Sequence, residues 1–210
     1  MKNSLLSVLM VFLFIFSCRP QNKEEKISLV GGPCEGCEAI YEYGNRQLTP
    51  TDTLPDFFKT EPKLKISGIV YKSDGKTPAS DVILYVYQTN REGIYPKKGN
   101  EKGWARRDGY IRGWVKTGKN GQYTFYTFRP ASYPNRSEPE HIHITLKEQG
   151  INEYYIDAFV FDDDTLLTAE RRTALTNRGG SGIVRPVLQN GIYTADRDII
   201  LGLNIPDYEE

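Results

Sequence analysis

From Lys63 onward the chain is built of short runs in which apolar and polar residues alternate. Leu64-Lys65-Ile66-Ser67-Gly68-Ile69-Val70-Tyr71 has the period of two that marks a strand, and a turn follows at Asp74-Gly75-Lys76-Thr77-Pro78. Asp81 to Thr89 is a second such run, with Val82, Leu84 and Val86 on one face and Ile83, Tyr85 and Tyr87 on the other. The same reading predicts strands over Ile111–Thr117, Gln122–Phe128, His141–Leu146, Tyr154–Phe161 and Asp196–Leu203. Asn120-Gly121 predicts a hairpin between two of them. Asp164 to Thr176 breaks the pattern: Leu166, Leu167, Glu170 and Arg171 recur at helical spacing, with Asp164 placed to cap. Many short strands and one helical segment predict an all-β fold, an antiparallel β-sandwich with one short helical insertion.

The chain before Lys63 has another character. Residues 19 to about 62 are polar and rich in turns (Gly31-Gly32-Pro33, Thr49-Pro50, Leu54-Pro55, Glu61-Pro62), as expected of a tether and an irregular arm laid on the domain. Ahead of them Lys2 precedes an apolar run, Leu5 to Phe16, too short to span a bilayer comfortably. It ends in Ile15-Phe16-Ser17-Cys18, which resembles the lipobox of a bacterial lipoprotein. The resemblance implies a signal peptide over 1–17, lipidation of Cys18, an anchored tether and arm over 18–62, and a domain over 63–210. It also implies a place in the cell envelope, at the outer membrane, facing the periplasm or the surface. The alternative is an ordinary secretory signal with a cysteine nearby.

Composition narrows the function classes. The 210 residues suffice for one domain with a short appendage, and 27 basic side chains balance 27 acidic ones. No net field draws the chain to nucleic acid. With Cys18 lipidated, Cys34 and Cys37 remain as a pair in an oxidising compartment. Cys34-Glu35-Gly36-Cys37 is open to a structural disulfide, the plainest reading, to a redox-active pair, or to half of a metal site. Glu38 stands where c-type haem attachment needs a histidine.

The two histidines of the chain lie one residue apart, in Ser132-Tyr133-Pro134-Asn135-Arg136-Ser137-Glu138-Pro139-Glu140-His141-Ile142-His143-Ile144-Thr145-Leu146. On a strand, positions i and i+2 share a face, so both imidazoles can approach one metal ion while Ile142 faces the core. A structural pair within a sheet is equally consistent with the spacing alone. Tyr133 precedes a proline, which holds it extended, and phenolate oxygen is a hard donor suited to Fe(III).

Several segments in order resemble the intradiol ring-cleavage dioxygenases. They are Val82 to Tyr95, with its aromatic-Gln pair Tyr87-Gln88, then Arg112 to Thr117, Gly121 to Thr127, and Arg129-Pro130-Ala131-Ser132-Tyr133-Pro134. The His-Ile-His strand follows, then Phe161-Asp162-Asp163-Asp164 and Arg197-Asp198-Ile199-Ile200-Leu201. The resemblance covers roughly residues 63 to 205. It implies a mononuclear non-haem Fe(III) held by Tyr95, Tyr133, His141 and His143. It further implies a catechol-type aromatic and O2 as substrates, and leaves room for a homo-oligomer. Two phenolates and a hydroxide balance the ferric charge, so such a site can be partly buried. In the family reaction a catechol gives its protons to the hydroxide and to one tyrosinate, here Tyr133, and the ring opens between its two hydroxylated carbons to a muconate-type diacid.

One position departs from the family pattern. Three residues before the first histidine, where an arginine is usual, stands Glu138. Arg136 is the nearest candidate for a catalytic cation, with Arg106 and Arg107 as others. The plain reading of Arg106-Arg107 is a solvated surface pair. Two further readings stay open: an iron-binding relative without turnover, and a transthyretin-like or carboxypeptidase-regulatory β-sandwich binding module. The second rests on Ile66 to Val82 and lets the histidines pair structurally.

Overall fold

A computed structural model describes residues 27–209, so the leader, the lipobox and Cys18 lie outside the described residues. Among the described residues no helix is long and apolar enough to cross a membrane. The strands are β1 (Thr51–Thr53), β2 (Lys63–Tyr71), β3 (Ile83–Gln88), β4 (Arg112–Lys116), β5 (Gln122–Phe128) and β6 (His141–Lys147). They continue with β7 (Tyr154–Tyr155), β8 (Phe159–Phe161), β9 (Ile183–Val184), β10 (Val187–Gln189), β11 (Ile192–Asp196) and β12 (Ile199–Ile200). One sheet has the order β1-β5-β2-β11-β10, with β12 also on β2; the other runs β4-β3-β6-β8-β9, with β7 also on β6.

The fold is the expected all-β sandwich, but its sheets are mixed rather than purely antiparallel. β1 lies parallel to β5, β11 and β12 parallel to β2, and β9 parallel to β8. Parallel neighbours are reached by long connections, and alternation along a strand says nothing about the direction of its partner. The hairpin expected at Asn120-Gly121 is also corrected. The turn closes, with Gly121 N–H donating to Gly118 O at 2.9 Å, but β4 pairs with β3 while β5 pairs with β2 and β1. The turn therefore carries the chain from one sheet to the other.

Alternation sorts the core as predicted. Val82, Leu84 and Val86 enter the main core between the sheets, with Leu64, Ile66, Phe125, Phe128, Ile142, Ile144, Leu146, Phe159 and Phe161. Each such side chain is worth roughly 1.5–3 kcal/mol of burial. The opposite face of β3 is not left to water: Tyr85 packs with Ala39, Ile40 and Trp114, and Ile83 and Tyr87 lean on that cluster. Ala39 and Ile40 belong to a 3-10 turn, Cys37–Tyr41, in the segment expected as an irregular arm. That segment thus covers the outer face of the second sheet, adds β1 to the edge of the first, and sends Val30 and Leu54 into the main core.

Two helices are present among the described residues, α1 (Ala105–Asp108) and α2 (Ala169–Ala174). The helical pattern over 164–176 is realised in part. Thr168 caps α2, its Oγ1 accepting from Arg171 N, while Asp164 instead closes the preceding turn through Leu166 N (2.8 Å) and receives Glu140 N. The single strand expected over Tyr154–Phe161 is interrupted. Thr145 faces Tyr155 and Ile142 faces Phe159, so three residues, Ile156 to Ala158, oppose two, His143 and Ile144. Such a bulge beside functional side chains is a common device for re-aiming a strand.

Gly68 of β2 lies against the backbone carbonyl of Arg197, which a Cβ would strike. Gly68→Ala is expected to lower unfolding free energy by about 1–3 kcal/mol in denaturant titration, through a clash with backbone that has no rotamer to yield.

Candidate metal centre and its cavity

The register of β3 on β6 sets the site. Tyr87 pairs with His143 and Gln88 with Ile142, so Tyr87, His141 and His143 emerge on the outer face of the second sheet while Ile142, 1% exposed, enters the core. The Tyr87 and His143 rings stack at 4.4 Å with 14° between planes. Beyond β3 the chain is turned by Asn90, whose Oδ1 accepts from the N–H groups of Glu92 (3.0 Å) and Ile94 (3.1 Å), and it delivers Tyr95.

Tyr133 arrives on a separate loop laced to the first. Ala131 N–H donates to Asn90 O (3.1 Å), Thr89 Oγ1 to Ala131 O (2.7 Å), and Arg91 Nη1 to the carbonyls of Arg129 and Pro130 (3.0 Å each). Buried Gln88 underlies both loops: its Nε2 donates to Phe128 O at 2.9 Å and its Oε1 accepts from Thr127 Oγ1 at 2.8 Å. Gly93 has φ +74 and abuts the Ser132 carbonyl beside Tyr133, so no side chain fits there.

These elements bring four polar atoms together. Tyr95 Oη lies 2.7 Å from Tyr133 Oη and 2.9 Å from His143 Nε2. Tyr133 Oη lies 3.2 Å from His141 Nε2, and the two Nε2 atoms are 3.0 Å apart. Among the described residues no three His, Cys, Asp or Glu side chains cluster as metal ligands; the converging donors are two histidines and two tyrosines.

Whether these four fit a metal ion can be judged from their own chemistry. His141 Nδ1 is 2.7 Å from the carbonyl of Pro139, which only accepts, so Nδ1 carries the proton and Nε2 presents its lone pair inward. This is the outer hydrogen bond that metal-bound imidazoles usually make. Ligand atoms at right angles on bonds of about 2.0–2.1 Å lie about 3 Å apart, the spacing of this cluster. The site also resists other charge states. Burial, then His141 and then Arg107 hold His143 down to about 3, so it stays neutral at ordinary pH. Burial and the hydrogen bond that Tyr95 donates to Tyr133 push the Tyr95 phenol well above its usual range, and burial raises Tyr133 as well. A multivalent cation reverses that preference by binding the phenolates directly. The donor set fits a hard metal ion.

A cavity of about 610 Å³ opens beside the cluster, lined by Tyr87, His141 and His143 on one side. Its other walls come from the arm (Pro33 to Cys37), from the bulge (Ile156, Asp157, Ala158), and from α2 and its flanks (Leu167, Arg171, Leu175). Cys34 and Cys37 are joined by a disulfide and stand on this wall. Glu138 also lines the cavity, its carboxylate 3.8 Å from His141 Nε2.

The candidate cations separate. Arg136 is exposed in the left-handed region (φ 54), closing a turn onto Tyr133 O, and is not among the cavity's lining residues. Arg106 is an exposed residue whose Nε donates to Glu101 O, as a surface side chain would. Arg107 departs from the surface-pair reading: its guanidinium lies on the cavity wall, fixed by Asp108. Sequence reasoning did not single out Tyr87 as the platform under His143, the fully buried Asp108, or the arm as a wall of the cavity. The assignment of Tyr87 to the outer face of β3 was the one signal available for the first.

Comparison with known proteins agrees with this architecture. No family model matches the chain. It is 28% identical over 123 residues to catechol 1,2-dioxygenase 1 of Acinetobacter lwoffii, a match covering 58% of this chain and 37% of that protein. The chain thus spans little more than a third of that curated relative's length. Among solved structures, the dioxygenase domain of a dioxygenase–carbohydrate-binding protein fusion from the cellulolytic bacterium Streptomyces sp. SirexAA-E aligns with TM-score 0.54 and 21% identity. That alignment covers 80% of this chain and 95% of that one. The 3-chlorocatechol 1,2-dioxygenase of Rhodococcus opacus 1CP aligns with TM-score 0.56 and 20% identity over 73% of this chain and 65% of that one. What these structures share with the chain is the fold. The chain is thus similar in sequence, over 123 residues, to a catechol 1,2-dioxygenase, and similar in fold to solved dioxygenase structures.

Gly93→Ala is expected to separate the Tyr95 and Tyr133 loops, since both its backbone angle and the Ser132 carbonyl oppose a side chain. The variant should lose about 1–3 kcal/mol of stability, and its crystal structure should show the 2.7 Å contact between the two hydroxyls broken.

Proposed function

We propose that this protein is a mononuclear Fe(III)-dependent intradiol dioxygenase. It opens a catechol-type ring between its two hydroxylated carbons, with both atoms of O2 entering a muconate-type diacid. The observation that carries the reading is the convergence of Tyr95, Tyr133, His141 and His143, linked by contacts of 2.7–3.2 Å, with both histidines on the wall of a cavity. Bound by those four side chains, ferric iron would supply the Lewis acidity that activates a catecholate.

The residues of the chain divide the remaining work. His141 and His143, one on the Pro139 carbonyl and the other stacked on Tyr87, are held rigidly by the sheet and serve as the neutral donors. Tyr95 is pinned by the Asn90 turn. Tyr133 sits on an irregular loop, half-buried, and burial makes its phenolate a strong proton acceptor. It is therefore the group suited to take one hydroxyl proton from an arriving catechol. The apolar side of the cavity, with Ile156, Ala158, Leu167 and Leu175, excludes water from the ring.

A second reading, iron binding without turnover, is favoured by one observation: Glu138 places a carboxylate against the pocket where negative charge would build on the substrate. The leader sequence supports a lipid anchor at Cys18 and a place in the cell envelope; Cys18→Ser should move the protein out of the membrane fraction.

The purified protein is expected to hold stoichiometric iron and to be red-brown from tyrosinate-to-iron charge transfer, and Tyr133→Phe should bleach much of that colour. Oxygen uptake with a panel of catechols then separates the readings. Uptake supports the dioxygenase, coloured protein without uptake supports the non-turnover relative, and a colourless, iron-free protein rejects both.

A further inference from the structure

Arg107 is held more firmly than an exposed arginine needs to be. Its Nε donates to Asp108 Oδ1 at 2.9 Å, and Asp108, fully buried, is itself fixed by the Tyr85 hydroxyl at 2.8 Å. Its Nη1 and Nη2 each donate to the Glu35 carbonyl at 3.3 Å, inside the Cys34–Cys37 disulfide loop. Trp104 lies under the guanidinium at 4.7 Å. Gly36 presses on the same group from above, in a left-handed conformation (φ +87) that leaves no room for a Cβ. These contacts use three of the five guanidinium N–H groups, and the Tyr87 hydroxyl is a further hydrogen-bond partner.

The guanidinium lines the same cavity as Tyr87, His141 and His143, and the Tyr87 ring stacks on His143 at 4.4 Å. The other charged side chains on the cavity wall are placed differently. Both Nη groups of Arg171 are bound to carbonyls, of Leu166 (2.9 Å) and Ser137 (2.7 Å). Asp157 is tied to Thr176 Oγ1 and Asn177 N. The Glu35 carboxylate is 3.7 Å from Arg107 but 85% exposed, and exposed pairs neutralise little. Glu138 is negative.

We propose that Arg107 is the substrate-binding cation of this pocket, supplied from α1 and aimed by the Cys34–Cys37 loop, and that it compensates for Glu138 beside His141. This inference rests on the dioxygenase reading of the site. A catechol bound at the four-donor cluster is anionic, and Arg107 offers that charge the outer N–H groups of a guanidinium fixed on the cavity wall. Glu35 and Gly36 then act as positioning residues, and the disulfide keeps their loop closed over the guanidinium.

The test is an anaerobic absorbance titration of the iron-loaded protein with 4-nitrocatechol, which reads binding apart from turnover. Arg107→Met should weaken binding by about tenfold or more, the usual worth of a hydrogen bond to a charged group. It should keep the tyrosinate-to-iron band of the free protein. Arg107→Lys should restore part of the affinity by restoring charge without the fork. The double substitution Cys34→Ser, Cys37→Ser should weaken binding in the same direction, and adding it to Arg107→Met should cost little more, because both act through one guanidinium. An Arg107→Met protein that is coloured, folded and binds 4-nitrocatechol like the parent overturns the proposal and leaves the metal centre standing. Loss of colour in the parent protein would instead remove the dioxygenase reading on which it rests.

Discussion

The pairing of β3 with β6 is the constraint from which the site follows. Because Tyr87 faces His143 and side chains alternate along both strands, Tyr85, Tyr87, His141, His143 and Thr145 share the outer face of one sheet. A slip of one residue would turn both imidazoles into the core and expose Ile142 and Ile144. That alternative is closed by burial: Leu84, Val86, Ile142, Ile144 and Leu146 all lie in the main core, each contributing on the order of 1.5–3 kcal/mol. The hydrophobic face thus holds the polar face in register.

A sheet face that carries polar donors and aromatics outward needs a cover if it is to exclude water, and the N-terminal arm provides it. Ala39 and Ile40 pack against Tyr85 and Trp114, Cys37 Sγ comes within 3.8 Å of Thr145 Oγ1, and the disulfide loop closes the cavity on the side of Arg107. The arm is irregular because it follows the outline of a surface rather than a ladder of hydrogen bonds. The bulge at Ile156 to Ala158 does the complementary work from β7 and β8, leaning the chain away from His143 and opening room beside it.

Electrostatics sharpen what the geometry supplies. A cluster of two phenols and two imidazoles in a half-buried place favours neutral forms, which is why burial raises Tyr95 and lowers His143. Only a cation at their centre lets the phenolates form without a large desolvation cost. Beside this centre Glu138 and Arg107 bring charges of opposite sign to the wall of one cavity.

Local pattern carried much of this protein. Alternation and turn residues located β2, β3, β4, β5 and β6 within a residue or so, and i, i+2 spacing put both histidines on one face, because these properties depend only on neighbours in sequence. The order of motifs marked Tyr95 and Tyr133 as partners for them. Four things lay beyond reach of such reasoning: the parallel pairing of β11 and β12 with β2, the crossing of the Asn120-Gly121 turn between sheets, the break between β7 and β8, and the place of Arg107. Each depends on which distant segment arrives alongside. A charged residue in a four-residue helix looks like a solvated one until Asp108, Trp104 and the Glu35 carbonyl, 72 residues away, are packed around it.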